Sequence, residues 1–509
     1  MSLLPSAQVR IAIVGAGFSG LGMAIRLKQA GIEDFLVLER ERDVGGTWWL
    51  NTYPGCQCDI PSHLYSFSFA PNPDWSRTYS EQPEIQEYLR DCSRRYQVES
   101  KIAFGCEVTA AAWDDESGLW RLETSQGSLR ADILIAGAGA LAVPAITAIE
   151  GRRDFAGISF HSARWNHDVD LTGKRVGVIG TGASAIQLVP KVQPKVAALY
   201  LFQRTAPWVL PRTDRSITEP ERRLYRRVPL AQKLVRASVY ANFESRAVAM
   251  TVDTRLLTGY QALARWHMHR QVRDPHLRAK LQPSYLIGCK RILVSNDYYP
   301  ALARRNVEVV TERIEKMTPR GIITSDGRER GLDAVVFATG FEVGNWPTLG
   351  FIQGRDGVTL ADRWRERGAQ AFLGTAVSRF PNFFILLGPG TGLGHNSVVY
   401  MIESQIGYVL DCLGMMDARR ISTVEVRPEA EAAYDADIQS RLGNTVWASG
   451  CASWYLHASG RNPALWPTFT FRYRRQMRRF DPRPYKLRAG SPRDASLVPD
   501  RGGLDDVVV

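Results

Sequence analysis

The sequence has no run approaching the ~20 consecutive apolar residues that a membrane-spanning helix needs, so no membrane partner is expected. Cysteine is scarce and badly placed for stapling. There are seven, an odd number, at positions 56, 58, 92, 106, 289, 412 and 451. A disulfide framework is therefore not expected, and the lone C-x-C of Cys56 and Cys58 lacks the second half of a zinc site, so no metal is expected either. The opening residues, MSLLPSAQVR, run straight into a strand pattern and do not resemble a secretory leader. These absences point to a reducing cytoplasm. Acidic residues are in deficit: 52 Asp and Glu against 64 Lys and Arg leave a formal net charge of +12, which favours phosphorylated ligands. Nucleic acid is not expected. The basic stretch 220–240 lacks the interleaved aromatics of a base-stacking surface and reads as a solvated helix face.

What is present is globular. With 45% hydrophobic and 23% charged residues, wholesale disorder is excluded, and 509 residues at roughly 150 per domain imply two to four domains. Val9 to Val14, VRIAIV, is a continuous apolar run suited to a strand buried on both faces. GAGFSG follows, with Gly15, Gly17 and Gly20, then a helical stretch, then a strand from Phe35 to Leu38 that ends in Glu39. The pattern returns at KRVGVI (174–179). There GTGASA supplies Gly180, Gly182, Ser184 and Ala185, a helix AIQLVPKV follows, and the strand AALYLF ends in Gln203 and Arg204.

Both stretches are βαβ units of the dinucleotide-binding kind. The first glycine permits the tight turn, the second lets the backbone approach a pyrophosphate, and the third allows close helix–strand packing. The helix N-terminus then offers amide donors and partial positive charge. The units differ at the end of the second strand. Glu39 can accept from a ribose hydroxyl, which suits FAD or NAD, whereas Arg204, followed by Thr205, would clasp a 2′-phosphate, which favours NADP. Lys290, in GCKR (288–291), is a candidate second phosphate ligand whose approach sequence spacing cannot establish.

Two further strand–glycine turns, ADILIAGAG (131–139) and LDAVVFATGF (332–341), mark crossovers between domains. The expected architecture is α/β, with two Rossmann-like dinucleotide-binding domains (FAD and NADP), the second inserted in the first. The first domain takes residues 1–140 and 341–489, and the second takes 141–213 and 286–340. Residues 214–285 form a small helical insertion, and 490–509, rich in Gly, Ser, Pro and Asp, form a frayed tail. Two nucleotide sites of different ribose chemistry suggest a flavoenzyme that takes a hydride from NADPH. Disulfide reductases of this kind carry C-x-x-C or C-x4-C near the first site. Monooxygenases need no redox cysteines, because oxygen accepts their electrons.

Longer motifs go further. Gly46-Thr47-Trp48, Tyr53-Pro54-Gly55 and Asp59 complete the pattern G-x-W-x4-[FY]-P-G-x3-D, and FAGISFHSARWN supplies Phe155, Gly157, His161 and Trp165 in the spacing F-x-G-x3-H-x3-W. With FQRT (202–205), GCKR, SNDYYPAL (295–302), FATGF (337–341) and SGCASWYLHASGRNPALWP (449–467), the chain resembles the class B flavin monooxygenases, and within them the Baeyer–Villiger monooxygenases. One departure stands at Asn166, where the fingerprint has Pro or Asp; on a linker between domains, such a change bears on domain motion or is tolerated.

The resemblance implies FAD and NADPH as cofactors. It also implies O2 and a small-molecule ketone as substrates, an ester or lactone as product by way of a peroxyflavin, and a monomer or weak homodimer. Arg291 would sit by the flavin and stabilise negative charge on oxygen, with Asp59 holding it. Thr47, Trp48, Thr339 and Gly340 would join the cofactor contacts, and Lys290, Arg204 and Thr205 would hold the 2′-phosphate. Phe155, Gly157, His161 and Trp165 would couple the domains, and Trp454 would ride a loop closing over NADP. The alternative is a related enzyme that oxygenates sulfides or amines, against which Trp165 and the Asp59 pattern argue. A plain flavin or disulfide reductase lacks its cysteines here, and a nucleotide sensor would not need Arg291 and Asp59.

Overall fold

The computed structural model describes residue 4 and residues 7–343 and 346–490; the tail expected beyond Gly490 lies outside the described residues. The chain builds two sheets around its two glycine loops. In the first sheet, Gln8–Val14 pairs in parallel with Phe35–Glu39 on one side and with Gly127–Ala136 on the other. An antiparallel meander, Val108–Asp114, Leu119–Thr124 and Gly127–Ala136, extends it. The central strands are nearly continuous in Ile, Leu and Val because helices and loops cover both faces.

The second sheet runs in the order Val307–Val310, Ala198–Phe202, Arg175–Ile179, Ala334–Phe337, Ile158–His161, all parallel. After it the chain returns to the first sheet, adding Ile352–Gln353 at the edge and Phe383–Ile385 beside Gly127–Ala136. A parallel strand returning from so far along the chain is what an inserted domain requires. A three-stranded antiparallel sheet, Ile314–Thr318, Gly321–Thr324 and Glu329–Gly331, adjoins the second domain.

One expectation is corrected here. The fingerprint is not wholly a linker, because Ile158–His161 is an edge strand of the second sheet, in register with Ala334–Phe337. Only its end turns away, and there Asn166 Oδ1 accepts from the Asp168 N–H at 3.0 Å. That local turn uses a side-chain oxygen an aspartate would supply equally.

Residues 214–285 are helical, with Glu219–Arg227, Pro229–Thr251, Leu257–Gln271 and Pro275–Leu281 as the main helices. Arg223 and Arg226 pair with Glu219 along an exposed face. The insertion also docks onto the first domain. Glu244 is buried and accepts from the Thr470 N–H (2.5 Å), the Thr470 hydroxyl (2.7 Å) and the Asn396 amide (2.6 Å). Burial raises the Glu244 carboxyl, but these bonds and His395 outweigh it and hold the group below its usual range. Among the described residues, no helix is long and apolar enough to cross a membrane.

Candidate active site

The first glycine loop opens onto a cavity of about 520 Å³ lined by Gly15, Gly17, Glu39, Gly45, Gly46, Thr47 and Trp48, with 106–109 and 137–143 on its far side. Gly15 needs its glycine, with φ at +93°. A Cβ on Gly20 would sit 1.8 Å from the Gly15 carbonyl oxygen, so the helix rests directly on the turn. Glu39 is buried, and its oxygens accept from the Ala16 N–H (2.5 Å) and the Glu41 N–H (2.8 Å). Burial raises its pKa against those two bonds. Glu39 itself lines the cavity. Thr47 and Trp48 open a single helical turn, and the Trp48 indole donates to the Tyr65 hydroxyl at 3.2 Å. A glycine-floored cavity of this size, ending in a carboxylate, fits FAD.

The second loop is more open. Gly180 (φ +112°) has no room for a side chain, since a Cβ would meet the Ala338 oxygen at 2.4 Å, but a Cβ on Gly182 would meet nothing within 4 Å. Ser184 lies in the first turn of the following helix. Arg204 is exposed, and the Thr205 carbonyl accepts from the Thr181 hydroxyl at 2.9 Å. Lys290 arrives beside Arg204. Burial lowers its pKa first, and the Arg204 charge lowers it further. Two neighbouring cations without a carboxylate between them fit a phosphate, and so the 2′-phosphate of NADP. Thr339 donates to the Ala145 carbonyl, and Gly340 takes φ +85°, at the crossover back to the first domain.

His161 is buried on the edge strand. Its Nδ1 accepts from the Ala163 N–H at 3.1 Å, while Nε2 has no partner. Burial lowers its pKa, so it stays neutral. Phe155 packs in the second core, a Cβ on Gly157 would meet the Phe155 ring at 2.5 Å, and Trp165 lies edge-on to Phe160. These four residues shape the second domain's edge.

Arg291 and Asp59, 232 residues apart, meet in a bidentate pair. Nε and Nη2 donate to the two carboxylate oxygens at 2.7 Å each. Arg291 Nη1 also reaches the Leu393 carbonyl at 3.5 Å. The Asp59 charge, ahead of opposing burial, keeps the guanidinium protonated above its usual range. Tyr65, which lines the first cavity, lies within reach of both charges. A permanent cation with a fixed orientation therefore stands within electrostatic reach of Tyr65, a residue of the first cavity's wall.

A family model described as pyridine nucleotide-disulphide oxidoreductase matches residues 12–256. A protein of Pseudomonas aeruginosa named Baeyer-Villiger monooxygenase is 50% identical over 481 residues, covering 94% of this chain and 91% of that one. The chain belongs to the Baeyer–Villiger monooxygenases. Cyclohexanone monooxygenase from Rhodococcus sp. Phi1 bound to NADP+ superposes with a TM-score of 0.85 at 28% identity, covering 95% of this chain and all of that one. The structure titled OTEMO complex with FAD and NADP gives 0.83 at 27% identity, covering 94% and 99%. As a member of that family, the protein is a flavoprotein oxidoreductase that uses FAD and NADPH.

The disulphide in the matched family's description does not extend to a redox pair at the first site. Cys56 and Cys58 are free and buried, and burial pushes the Cys56 thiol up to about 12 and the Cys58 thiol higher. A disulfide does exist elsewhere, contrary to expectation: Cys289 is bonded to Cys451. The two stand 162 positions apart, and no sequence spacing announces the pair. It ties the segment carrying Lys290 and Arg291 to the segment carrying Trp454.

That segment also brings to Arg291 an aromatic residue that the sequence did not single out. Trp454 is 52% exposed, whereas its neighbour Tyr455 is buried with its hydroxyl close to Arg291. Burial pushes the Tyr455 phenol up to about 12, so it stays protonated.

Proposed function

We propose that this monooxygenase inserts one oxygen atom beside a ketone carbonyl to give an ester or lactone, and that Arg291 is its charge-stabilising residue. The observation that carries the reading is the bidentate Arg291–Asp59 pair, within electrostatic reach of Tyr65 in the first cavity's wall. FAD, once reduced by NADPH, supplies the activation of oxygen. The protein's own residues hold the charge that chemistry generates. Arg291 offers a fixed guanidinium to a negatively charged oxygen, and Asp59 spends both its oxygens keeping that fork in place. A single such donor is worth about 100- to 1000-fold in rate. Tyr455 adds a neutral hydroxyl donor on the same side.

Gly15, Gly17, Glu39, Thr47 and Trp48 hold FAD. Gly182, Ser184, Arg204, Thr205 and Lys290 hold NADPH, and Trp454 shields it from water. The Cys289–Cys451 bond ties the Trp454 segment to the one carrying Arg291, which supports a water-excluding role for it. The test is oxygen-dependent NADPH oxidation across cyclic, linear and aryl ketones with product mass measured. A gain of one oxygen as ester or lactone is expected. Oxygenation confined to sulfides or amines, or hydrogen peroxide as the sole product, would contradict the reading.

A further inference from the structure

Beside Arg291, a cleft runs toward the helical insertion, lined by Asp59, Ile60, Leu210, Phe243, Arg246, Met250, Leu257 and Ile292 among others. Its walls are mostly apolar. Asp59 is the one carboxylate among the lining residues, and Arg291 already takes both of its oxygens. Arg246 is left over. It forms no ion pair among the described residues. Its guanidinium lies 3.8 Å from the centre of the Phe243 ring, and its nearest polar partner is the Asn242 amide oxygen at 3.4 Å. Glu244, two residues earlier on the same helix, points its carboxylate at Thr470 and Asn396.

Burial lowers the Arg246 pKa, and the groups that act back on it, Tyr79 and Tyr260, are not carboxylates. Withdrawing a guanidinium from water without a counter-ion is costly, and the cost is recovered when an anion arrives. A carboxylate matches the planar fork with two parallel hydrogen bonds.

We infer that Arg246 is a specificity residue that binds a carboxylate on the substrate, and that the preferred substrates are keto acids with an apolar spacer. Ketone and carboxylate then occupy the two ends of one cleft, the carbonyl at Arg291 and the acid at Arg246. The inference rests on the ketone-oxidising reading above and adds the chemical class to it. The same guanidinium could instead meet a nucleotide phosphate, and the experiment separates the two.

The holoenzyme is assayed with levulinate and its longer (ω−1)-oxo homologues, each a methyl ketone beside its methyl ester, following NADPH oxidation and product mass. At the chain length that spans the cleft, the acid should exceed its ester in kcat/KM by about 10- to 150-fold, mostly through KM, as one charge-assisted bond allows. Arg246→Gln should bring that ratio close to one, and Arg246→Lys should keep part of it, because charge remains while the fork is lost. The ratio is internal to each enzyme, so a general loss of activity does not imitate the result.

Esters oxidised as well as acids by the unaltered enzyme would overturn the inference without touching the ketone reading. So would a rise in KM for NADPH in Arg246→Gln with the acid preference intact, which would assign the guanidinium to the cofactor. If no ketone of any kind gains oxygen, the ketone reading fails and this inference falls with it.

Discussion

The two nucleotide units share a backbone plan and differ in how closely they are packed. In the first, the helix rests so tightly on the glycine turn that no Cβ fits at Gly20, and Glu39 is buried with both oxygens already accepting. In the second, Ala185 stands where Gly20 stands and is itself buried, Gly182 faces open space, and Arg204 is exposed. A closely packed frame suits a group that stays through many turnovers. An open one suits a nucleotide that must be recognised each time. The difference also separates two jobs that a glycine motif runs together: the third position serves packing, and the residue at the end of the second strand reads the ribose.

The largest effect that could break this comparison belongs to Gly20. Gly20→Ala drives a Cβ into a backbone oxygen and should cost about 3 kcal/mol or more, so little folded protein is expected. Gly17→Val should behave differently. Gly17 has an ordinary φ of −76°, and its Cβ position has only an ordinary contact, with the Gly46 Cα at 3.6 Å. The variant should fold with normal circular dichroism and be colourless, because its methyl groups fill the FAD cavity. Equal flavin content in Gly17→Val and the unaltered enzyme would refute the first assignment.

The next effect concerns the second unit alone. Arg204→Ala should raise the KM for NADPH about 10- to 150-fold, the worth of one charge-assisted hydrogen bond, and leave NADH use nearly unchanged. An equal rise for both cofactors would show that the open site does not read the phosphate through Arg204.

The smallest effect sits where the first domain meets the insertion. His63 is buried, its carbonyl accepts from Arg236, and its Nδ1 lies 3.2 Å from the Gln232 amide. Burial, aided by the Arg236 charge, lowers its pKa to about 4. Unfolded, the imidazole binds a proton below about pH 6.5. The unfolded state therefore gains protons first, and stability should fall as pH drops from about 6.5 toward 4. Between pH 7 and pH 5 the loss should be about 2 kcal/mol. Denaturant titrations of His63→Gln across that range should show a shallower pH slope; an unchanged slope would refute the assignment.

How much of this could be read in the sequence follows from distance along the chain. The glycine loops and the strand ends Glu39 and Arg204 are local, and their spacing alone dictates a βαβ unit. Lys290 beside Arg204 and Cys289 bonded to Cys451 depend on how distant segments return, which spacing does not encode. The fingerprint strand Ile158–His161 escaped notice because it is short and mostly exposed, so it shows no readable alternation. Tyr455 carried no signal of its own, because 451–455 is neither strand nor helix and Arg291 is distant along the chain. Arg246 could not be told from the many solvated arginines of its insertion until the cleft placed it opposite a carboxylate already taken.

The central claim is that the nucleotide units deliver electrons while the Arg291–Asp59 pair directs oxygen into the substrate. It is tested most directly by Arg291→Ala, with NADPH oxidation, hydrogen peroxide and ester measured in one reaction. The variant should keep its FAD and still oxidise NADPH, releasing hydrogen peroxide in step with NADPH consumed, while ester formation falls about 100- to 1000-fold. Ester formed at near the unaltered rate, or NADPH oxidation lost along with it, would contradict the division of labour.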